Sequence, residues 1–259
     1  MSNPAISALY VHIPFCHRIC PFCSFAVRKN RPSFHREYLE AVLLETRRRI
    51  HGNTINDLES LYIGGGTPSV LSSTEIIFLM QGIRQSWPLS KQCQVSLECN
   101  PEDIQPNYLG TLLQSGVNRL SIGVQSFQEE FLKSLGRNHT VEHLRQNLIA
   151  LRDVGWTNVN VDLMFGLPNQ TFAQFQFDVN KALEWEPTHL SFYALELVEH
   201  TPYGKSERIR KSWQEAQEIT TDMFLWASNY LEDNGWEHYE VSNFAKPRYQ
   251  GRMNQMVWN

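Results

Sequence analysis

Three cysteines lie close together near the start of the chain, in the run YVHIPFCHRICPFCSF. Cys16, Cys20 and Cys23 follow the pattern C-x3-C-x2-C directly after a strand-like segment. A structural zinc site normally has four protein ligands, and a cubane [4Fe–4S] cluster is usually held by four thiolates. Three thiolates would leave one iron open to a small molecule. The spacing therefore predicts a cluster that binds a ligand directly.

A zinc-binding loop is the alternative interpretation of these cysteines. His12 and His17 are near enough in sequence for either to complete the ligand set. Zinc sites more often use paired C-x2-C units, so the spacing favours the cluster.

Composition limits the class of protein. The chain has 259 residues, 42% hydrophobic and 19% charged, which is enough apolar material for one large core. The formal net charge of −4 gives no general attraction for nucleic acid. Arg47, Arg48 and Arg49 stand together on a helical pattern and are interpreted as a solvated face. We therefore expect no nucleic-acid partner.

The chain also lacks signals for export or membrane insertion. Its start has neither a basic region nor a long apolar run, and no uninterrupted apolar stretch reaches about 18 residues. Five cysteines, three of them crowded into one loop, do not suggest a disulfide framework. Cys93 and Cys99 are expected to be core thiols. We expect a protein of the reducing cytoplasm without a membrane span.

Strand and helix patterns alternate along the chain and must position the cysteine loop. Six short apolar runs are predicted strands: residues 8–13, 60–63, 94–98, 119–124, 159–165 and 189–195. Capping signals at Ser72, Ser126 and Thr171 open helices between them, and a long last helix is predicted over about 206–233. Six strand–helix units predict a parallel α/β architecture. The pattern leaves a barrel and an open doubly wound sheet as alternatives.

Polar and glycine residues follow several predicted strands, where the chemistry of α/β barrels collects. Gly64, Gly65 and Gly66 open the run GGGTPS, and a turn without Cβ atoms lets backbone approach a ligand. A tight turn with no ligand is the alternative. Further candidates are Thr67, Glu98, Gln125, Arg137 and Asp162. Asp162 is notable because a carboxylate in an apolar strand is costly unless it is paired or faces a polar cavity.

The cysteine spacing, with Phe22 just before the third cysteine, resembles the radical S-adenosylmethionine (SAM) superfamily. The resemblance implies that the open iron binds the amino and carboxylate groups of SAM. It also implies that one electron from the cluster cleaves SAM to methionine and a 5′-deoxyadenosyl radical. It selects a partial (β/α)6 barrel of the TIM type from the architectures left open above.

A longer set of motifs is similar to the HemN/HemW group of that superfamily. YVHIPFC, GGGTPS, ECNPE, VNRLSIGVQSF with LGRNH, and VDLMFGLP occur in one order between Ala8 and Asn259. The resemblance implies that Cys16, Cys20 and Cys23 hold the cluster. It assigns contacts with SAM, or with a second SAM molecule, to Tyr10, Phe22, Gly65, Gly66, Thr67, Glu98, Gln125, Arg137 and Asp162.

Two branches of the group differ in function. The coproporphyrinogen III dehydrogenase (HemN) branch has a further cysteine two residues after the third, and this chain has Phe25 there. The chain therefore looks like the HemW-type heme chaperones, which bind heme and deliver it to acceptor proteins. Oxidative decarboxylation of coproporphyrinogen III stays open as the alternative. The expected partners are SAM, heme or a porphyrinogen, a heme-acceptor protein, and an electron donor such as flavodoxin or ferredoxin.

The end of the chain departs from the HemW pattern. That branch has a C-R-H-N-x-x-Y-W segment whose histidine is implicated in heme binding. Here the segment reads GRMNQMVW, with Met253 and Val257 in place of the histidine and tyrosine. Methionine is an axial heme ligand in some proteins. We expect a barrel domain over 1–235 and, over 236–259, a short extended segment and a loop that begin a truncated C-terminal region.

Overall fold

In the computed structural model, residues 6–50 and 55–258 are described. The helices are α1 His35–Ile50, α2 Ser73–Ser86, α3 Pro106–Gln114, α4 Glu129–Ser134, α5 Val141–Val154, α6 Phe172–Leu183, α7 Pro202–Lys205, α8 Glu207–Asp233 and α9 Arg252–Trp258. The strands are β1 Ile6–Ile13, β2 Phe15–Cys16, β3 Arg28–Lys29, β4 Ile55–Gly65, β5 Leu89–Cys99, β6 Arg119–Gln125, β7 Val159–Phe165, β8 His189–Ala194, β9 Glu237–Glu240 and β10 Asn243–Ala245.

One eight-stranded sheet organises the molecule, in the order β1-β4-β5-β6-β7-β8-β10-β9. The strands from β1 to β8 in this sheet pair in parallel, whereas β10 runs antiparallel to both β8 and β9. Six parallel strands with intervening helices confirm the predicted α/β partial barrel. The carboxyl ends of these strands meet at one edge, which is where the cysteine loop begins.

The two faces of the sheet have different chemistry because successive side chains point to opposite faces. In β6, Leu120, Ile122 and Val124 are buried in the hydrophobic core under the helices. The alternate residues Ser121, Gly123 and Gln125 instead line a cavity on the concave face. Parallel strands covered on both sides read as nearly continuous apolar runs, so the polar alternation marks a concave face that is not packed with apolar side chains.

The helix boundaries test the predicted caps. Ser72 and Thr171 each form a complete capping box, as predicted. The predicted cap at Ser126 is wrong, because α4 begins later and has no side-chain cap. Ser126 is fully buried and donates a hydrogen bond to Asp178 Oδ2 at 2.7 Å. The Ser126 hydroxyl proton thus goes to a tertiary partner, while its oxygen accepts from Gln128 N at 3.1 Å, one residue before α4 begins.

The final segment also differs from its predicted form of a short extended stretch and a loop. It forms β9, β10 and the helix α9. Gln94 Oε1 accepts a hydrogen bond from Arg252 N at 2.8 Å, which satisfies a free donor in the first turn of α9. A partner 158 positions away in sequence is invisible to local patterns.

β9 and β10 extend the barrel sheet across the expected boundary after residue 235. That boundary stays a prediction, and residues 1–5 and 259 at the outer limits of the two expected regions lie outside the described residues. Among the described helices, none is both long and apolar enough to cross a bilayer.

Candidate cofactor site

A cavity of about 760 Å³ opens at the carboxyl ends of the parallel strands. It brings together the three cysteines and nearly all of the predicted site residues. Its lining includes Cys16, Cys20, Phe22, Cys23, Gly65, Gly66, Thr67, Glu98, Gln125, Arg137 and Asp162. Residues more than 140 positions apart in sequence therefore share one wall, as expected when parallel strands end at one edge.

The cysteine loop lies between β2 and β3, two short strands that pair with each other in a small sheet of their own. Cys16 is buried at the end of β2, and Cys20 and Cys23 are partly buried in the loop. A turn closes the loop, since Cys23 N donates to Cys20 O at 3.1 Å. Burial raises the pKa of the Cys16 and Cys23 thiols, and a hydrogen bond from Thr67 opposes this for Cys16. The thiols therefore need a cation or metal to hold them as thiolates.

The donor set fits a cluster better than a zinc ion. In the described parts of the chain, no group of three or more Cys, His, Asp or Glu side chains is placed to hold a single metal ion. His12 Nε2 lies 2.9 Å from the carbonyl oxygen of Ala26, and His17 Nε2 lies 3.0 Å from Asp103 Oδ1. In a cubane each thiolate binds a different iron, so three thiols around a shared cavity suit it without converging on one point.

A chain of hydrogen bonds connects two of the cysteines. Thr67 Oγ1 donates to Cys16 Sγ at 3.4 Å, and Arg137 Nη1 donates to Cys20 Sγ at 3.7 Å. Asn100 joins them, because its Nδ2 donates to Thr67 Oγ1 at 3.3 Å and its Oδ1 accepts from Arg137 Nη2 at 2.6 Å. Donors aimed at sulfur stabilise thiolate charge. Arg137 therefore lines the cavity with its charge directed at a cysteine sulfur.

Asn100 is the residue that the sequence interpretation missed. It stands within the motif ECNPE, directly after β5. The general rule that polar residues after parallel strands point to the site would have included it.

The glycine turn fits tightly against neighbouring protein atoms. Gly65 has φ +117, and a Cβ there would lie 2.6 Å from His12 Nδ1. A Cβ on Gly66 would lie 2.9 Å from Cys16 Sγ. The turn thus needs glycine both for its backbone conformation and to let the cysteine strand approach. Both interpretations of GGG, ligand approach and tight turn, agree with this geometry.

Glu98 is held at the back of the cavity by two donors. Tyr62 Oη donates to its Oε1 at 2.8 Å, and Gly65 N donates to its Oε2 at 3.0 Å. Burial, the largest cause, raises the pKa of Glu98 to about 7, and the nearby Asp162 carboxylate adds to this. A cationic or hydroxyl group in the cavity would find an acceptor that is already oriented.

Asp162 and Gln125 reach the cavity from neighbouring strands. Asp162 accepts hydrogen bonds from Asn160 Nδ2 at 2.7 Å and Ser121 Oγ at 3.2 Å, and burial raises its pKa. Gln125 has φ 69, the left-handed region that non-glycine residues rarely adopt. The β6–β7 register shifts between Ile122 and Gln125, which turns the end of β6 and directs it toward the cavity.

The two aromatic candidates have different surroundings. Phe22 lines the cavity and packs against Tyr203, with ring centroids 6.3 Å apart. Tyr10 is 50% exposed and stacks on Tyr62 at 5.9 Å, outside the lining of the cavity. It is neither a core residue nor a wall residue in this structure, and its contact with SAM stays a prediction.

Met253 and Val257 are not among the residues that line the cavity with the cysteines. α9 is joined to the sheet through Gln94, which pairs with Ser60 near the middle of β4, and through Tyr239, which bonds to His189, the first residue of β8. These contacts place α9 toward the amino ends of the parallel strands. The segment that replaces the HemW histidine is therefore at the opposite end of the barrel from the cavity.

Comparisons with known proteins agree with this architecture. The sequence profile of the radical SAM superfamily matches residues 10–182. The chain is 34% identical to the heme chaperone HemW of Lactococcus lactis over 253 residues, 98% of this chain and 66% of the relative. Identity to HemW of Escherichia coli is also 34%, over 97% of this chain and 66% of the relative.

Other relatives extend this picture. The chain is 33% identical to the mitochondrial radical S-adenosyl methionine domain-containing protein 1 of Danio rerio, covering 58% of it. The structure of coproporphyrinogen III oxidase (HemN) from Escherichia coli superposes with a TM-score of 0.78 at 28% identity, covering 94% of this chain and 56% of that one. The chain thus spans about two thirds of the length of the bacterial HemW relatives.

Proposed function

Because this chain belongs to the radical SAM superfamily, whose members use a [4Fe–4S] cluster and SAM, we propose that its cavity binds both. The observation that supports this most strongly is the shared lining of the cavity by Cys16, Cys20 and Cys23 with the predicted SAM residues. When bound, the cluster supplies the electron that cleaves SAM. The protein's own residues hold, orient and shield these ligands.

Each residue has a role that follows from its chemistry. The three thiolates hold the cluster, while Thr67 and Arg137 donate hydrogen bonds to two of the sulfurs. Glu98 offers carboxylate oxygens to the ammonium or ribose hydroxyls of SAM. Further contacts with SAM are assigned to Tyr10, Phe22, Gly65, Gly66, Gln125 and Asp162.

Anaerobic reconstitution with iron and sulfide tests the cofactor assignment. Visible absorption and EPR spectra should show a [4Fe–4S] cluster whose reduced signal changes when SAM is added. Replacing Cys20 by Ala should abolish the signal, while Cys93→Ala, which removes a thiol outside the cavity, should retain it. Absence of iron–sulfur absorption, or one bound zinc without iron, would overturn the assignment.

We further propose that the protein takes part in heme trafficking as a HemW-type heme chaperone. The support is its 30–34% identity to several proteins named heme chaperone HemW over nearly its whole length. Phe25, in place of the further HemN cysteine, agrees with this branch. Its free thiols support a place in the reducing cytoplasm, with a heme-acceptor protein and an electron donor as partners.

Titration with hemin tests the chaperone proposal. A shifted Soret band that saturates at about one hemin per chain is the expected result. No shift at equimolar hemin would contradict heme binding, even in a preparation with an intact cluster.

The second candidate function is oxidative decarboxylation of coproporphyrinogen III. It is favoured by the HemN structure, which matches 94% of this chain. Its substrate is a tetra-anion, and the described cations that line the cavity are only Arg18 and Arg137. Incubation with reductant, SAM and substrate should give neither 5′-deoxyadenosine coupled to substrate nor protoporphyrinogen. Formation of both would replace the chaperone proposal by this one.

A further inference from the structure

A strip of exposed cations lies beside the cysteine loop. β3 carries Arg28 and Lys29 and pairs in parallel with β2, which places Lys29 opposite Cys16. Neighbouring strands lie about 4.8 Å apart, so this strand borders the buried cysteine directly. Arg31 follows after one residue, and all three cations are exposed. We name Arg28, Lys29 and Arg31 the basic strip.

No acid among the described residues neutralises the basic strip, although Arg31 lies over the Phe34 ring, 6.0 Å from its centroid. None of its three cations forms an ion pair with any acid in the described ranges. Some exposed arginines on the helices do, as Arg36 with Glu40 at 2.6 Å and Arg145 with Glu142 at 2.7 Å. Cations without an ion-pair partner retain their full charge toward an incoming protein.

The distribution of charge along the chain strengthens this local field. The first 36 residues contain five of the 23 lysines and arginines and none of the 27 acidic residues. The rest of the chain therefore carries 18 basic and 27 acidic residues. A protein of net charge −4 thus presents its most basic stretch around the cysteines, where an anionic partner would be guided toward them.

Exposed apolar side chains adjoin the same surface. Phe25 is 72% exposed and Ile19 is 46% exposed, and both lie at the cavity wall within the cysteine loop. Protein interfaces commonly combine an apolar centre with charges that steer association. Free anions need only the cations, so the exposed aromatic ring favours a protein partner.

We propose that the basic strip docks an acidic one-electron carrier protein, which reduces the cluster through the cysteine loop. This inference rests on the proposed function. One electron leaves the reduced flavin or iron–sulfur centre of the carrier, which is oxidised by one unit. The cluster accepts that electron and is reduced by one unit, without transfer of atoms.

Charge reversal tests the basic strip. The variant Arg28→Glu/Lys29→Glu/Arg31→Glu is compared with Arg47→Glu/Arg48→Glu/Arg49→Glu, an equal change of charge near the end of α1. Twelve residues of helix separate His35 from Arg47, about 18 Å. Circular dichroism melting of both variants checks that they are folded.

Calorimetric titration of each cluster-loaded protein with an oxidised acidic flavodoxin gives the affinity. The native chain should bind it, with a Kd that rises steeply with salt. The strip variant should bind at least tenfold more weakly, and the α1 variant should stay within twofold. The proposal would be overturned if the native chain did not bind flavodoxin at low salt, or if both variants lost affinity equally. Binding only to vesicles of anionic lipid would overturn it as well.

Reduction kinetics separate this inference from the proposed function. Dithionite needs no docking surface, so it should reduce the cluster equally in the native and strip variants. Reduced flavodoxin should reduce the native cluster faster than the variant cluster by at least tenfold. If no cluster assembles, the cofactor proposal fails, whereas flavodoxin binding to the cluster-free protein still tests the docking surface.

Discussion

At the scale of single residues, Thr67 and Arg137 donate hydrogen bonds to cysteine sulfurs, and Asn100 joins these two side chains. Thr67 is 4% exposed, and its hydroxyl both donates to Cys16 Sγ and accepts from Asn100 Nδ2. Thr67 thus bonds both to Cys16, a proposed cluster ligand, and to Asn100, which in turn accepts a hydrogen bond from Arg137.

We predict that Thr67→Val weakens this support while keeping the shape of the side chain. The lost hydroxyl leaves Asn100 Nδ2 short of an acceptor, which should lower the free energy of unfolding by about 1–3 kcal/mol. The cluster potential should become more negative, because the reduced, more anionic cluster loses a donor. Chemical denaturation and EPR-monitored potentiometry measure the two effects, and Thr111→Val, at a partly exposed hydroxyl of α3 that bonds to Asn107 O, is the control. An unchanged potential would contradict the role of Thr67.

Glu98 gives a prediction about pH. Its folded pKa of about 7 exceeds the ordinary value of 4.5, so the folded state favours the protonated carboxyl. Its contribution to stability is present below pH 4.5 and is lost as the pH rises to about 7. Over this range the free energy of unfolding should fall by roughly 2–3 kcal/mol.

Glu98→Gln should remove that part of the pH dependence, because the amide does not titrate. The measurement is the difference in unfolding free energy between the native and variant apoproteins from pH 4.5 to 7.5. Taking the difference cancels the contributions of His189 and His139 to the pH dependence. Burial lowers the pKa values of both histidines, so their contributions to stability rise with pH, whereas that of Glu98 falls. Glu215→Gln, on an exposed part of α8, should leave the curve unchanged. Parallel curves for the native and Glu98→Gln proteins would disprove the assignment.

At the scale of elements, the turn after β4 fits into the space left by the first strand. Gly65 and Gly155 both have positive φ, but a Cβ on Gly155 would meet open space whereas one on Gly65 would overlap the His12 ring. Alanine substitutions at these two positions therefore separate the energetic cost of the backbone conformation from the cost of steric overlap.

We predict that Gly65→Ala costs more than Gly155→Ala. Gly155→Ala should lower the free energy of unfolding by about 1 kcal/mol because of its left-handed backbone. Gly65→Ala should lower it further through the steric overlap, and it should displace Glu98, which accepts a hydrogen bond from Gly65 N. Denaturation curves measure both, and SAM affinity by calorimetry should fall only for Gly65→Ala. Equal costs with unaltered SAM binding would contradict the tight approach.

A second element-scale feature is a polar chain that joins the cavity to α9. Tyr239 Oη donates to His189 Nε2 at 2.7 Å, and His189 Nδ1 donates to Asn160 Oδ1 at 2.6 Å. Asn160 Nδ2 donates to Asp162 Oδ1. At the other end, Tyr239 Oη accepts from Gly251 N at 3.0 Å. The donors run in one direction, which needs a neutral His189 and agrees with its lowered pKa.

We predict that Tyr239→Phe detaches α9 from the sheet. Several buried donors and acceptors would lose their partner, at a cost of about 1–2 kcal/mol. Hydrogen exchange should accelerate in residues 252–258 well before the rest of the chain. Tyr249→Phe, which removes a partly exposed hydroxyl nearby, should have little effect. Unchanged exchange in α9 after Tyr239→Phe would show that other contacts hold the helix.

At the scale of the whole molecule, the two ends of the barrel present different chemistry. The carboxyl ends of the strands carry the thiols, the acids and the basic strip, whereas the amino ends carry α9 with Met253. Any heme bound through α9 would be separated from the cluster by the polar chain. The two ligands would then be linked through protein and not through direct contact.

We predict that Met253→His increases affinity for hemin at least tenfold, because imidazole is a stronger ligand for ferric iron than a thioether. The Soret band should shift as expected for histidine ligation. Gln255→His, two residues along the same helix and on another face, is the matched control, and visible titration measures both. Equal gains for the two variants would indicate nonspecific ligation, and no gain would exclude position 253 as the heme contact.

The order of elements and the cavity wall were largely predictable from the sequence. The six central strands were recognised because their apolar runs are short and bounded, and the wall residues because polar groups after parallel strands converge. Ser126 and α9 were not, since each depends on a distant partner, Asp178 or Gln94. Asn100 follows a parallel strand, so the same rule places it at the wall, whereas its bonds to Thr67 and Arg137 are visible only in the tertiary structure.

The amino-acid sequence alone determined the cysteine spacing, the parallel α/β order and the family, because these are properties of local pattern and motif. Only the tertiary structure decided which side chains meet. It brought Arg137 to Cys20, aligned Asp162 with Asn160 and His189, and set Lys29 beside Cys16. Hydrogen bonds and fields act over a few ångströms in space, and separation along the chain carries no information about those distances until the sheet has formed.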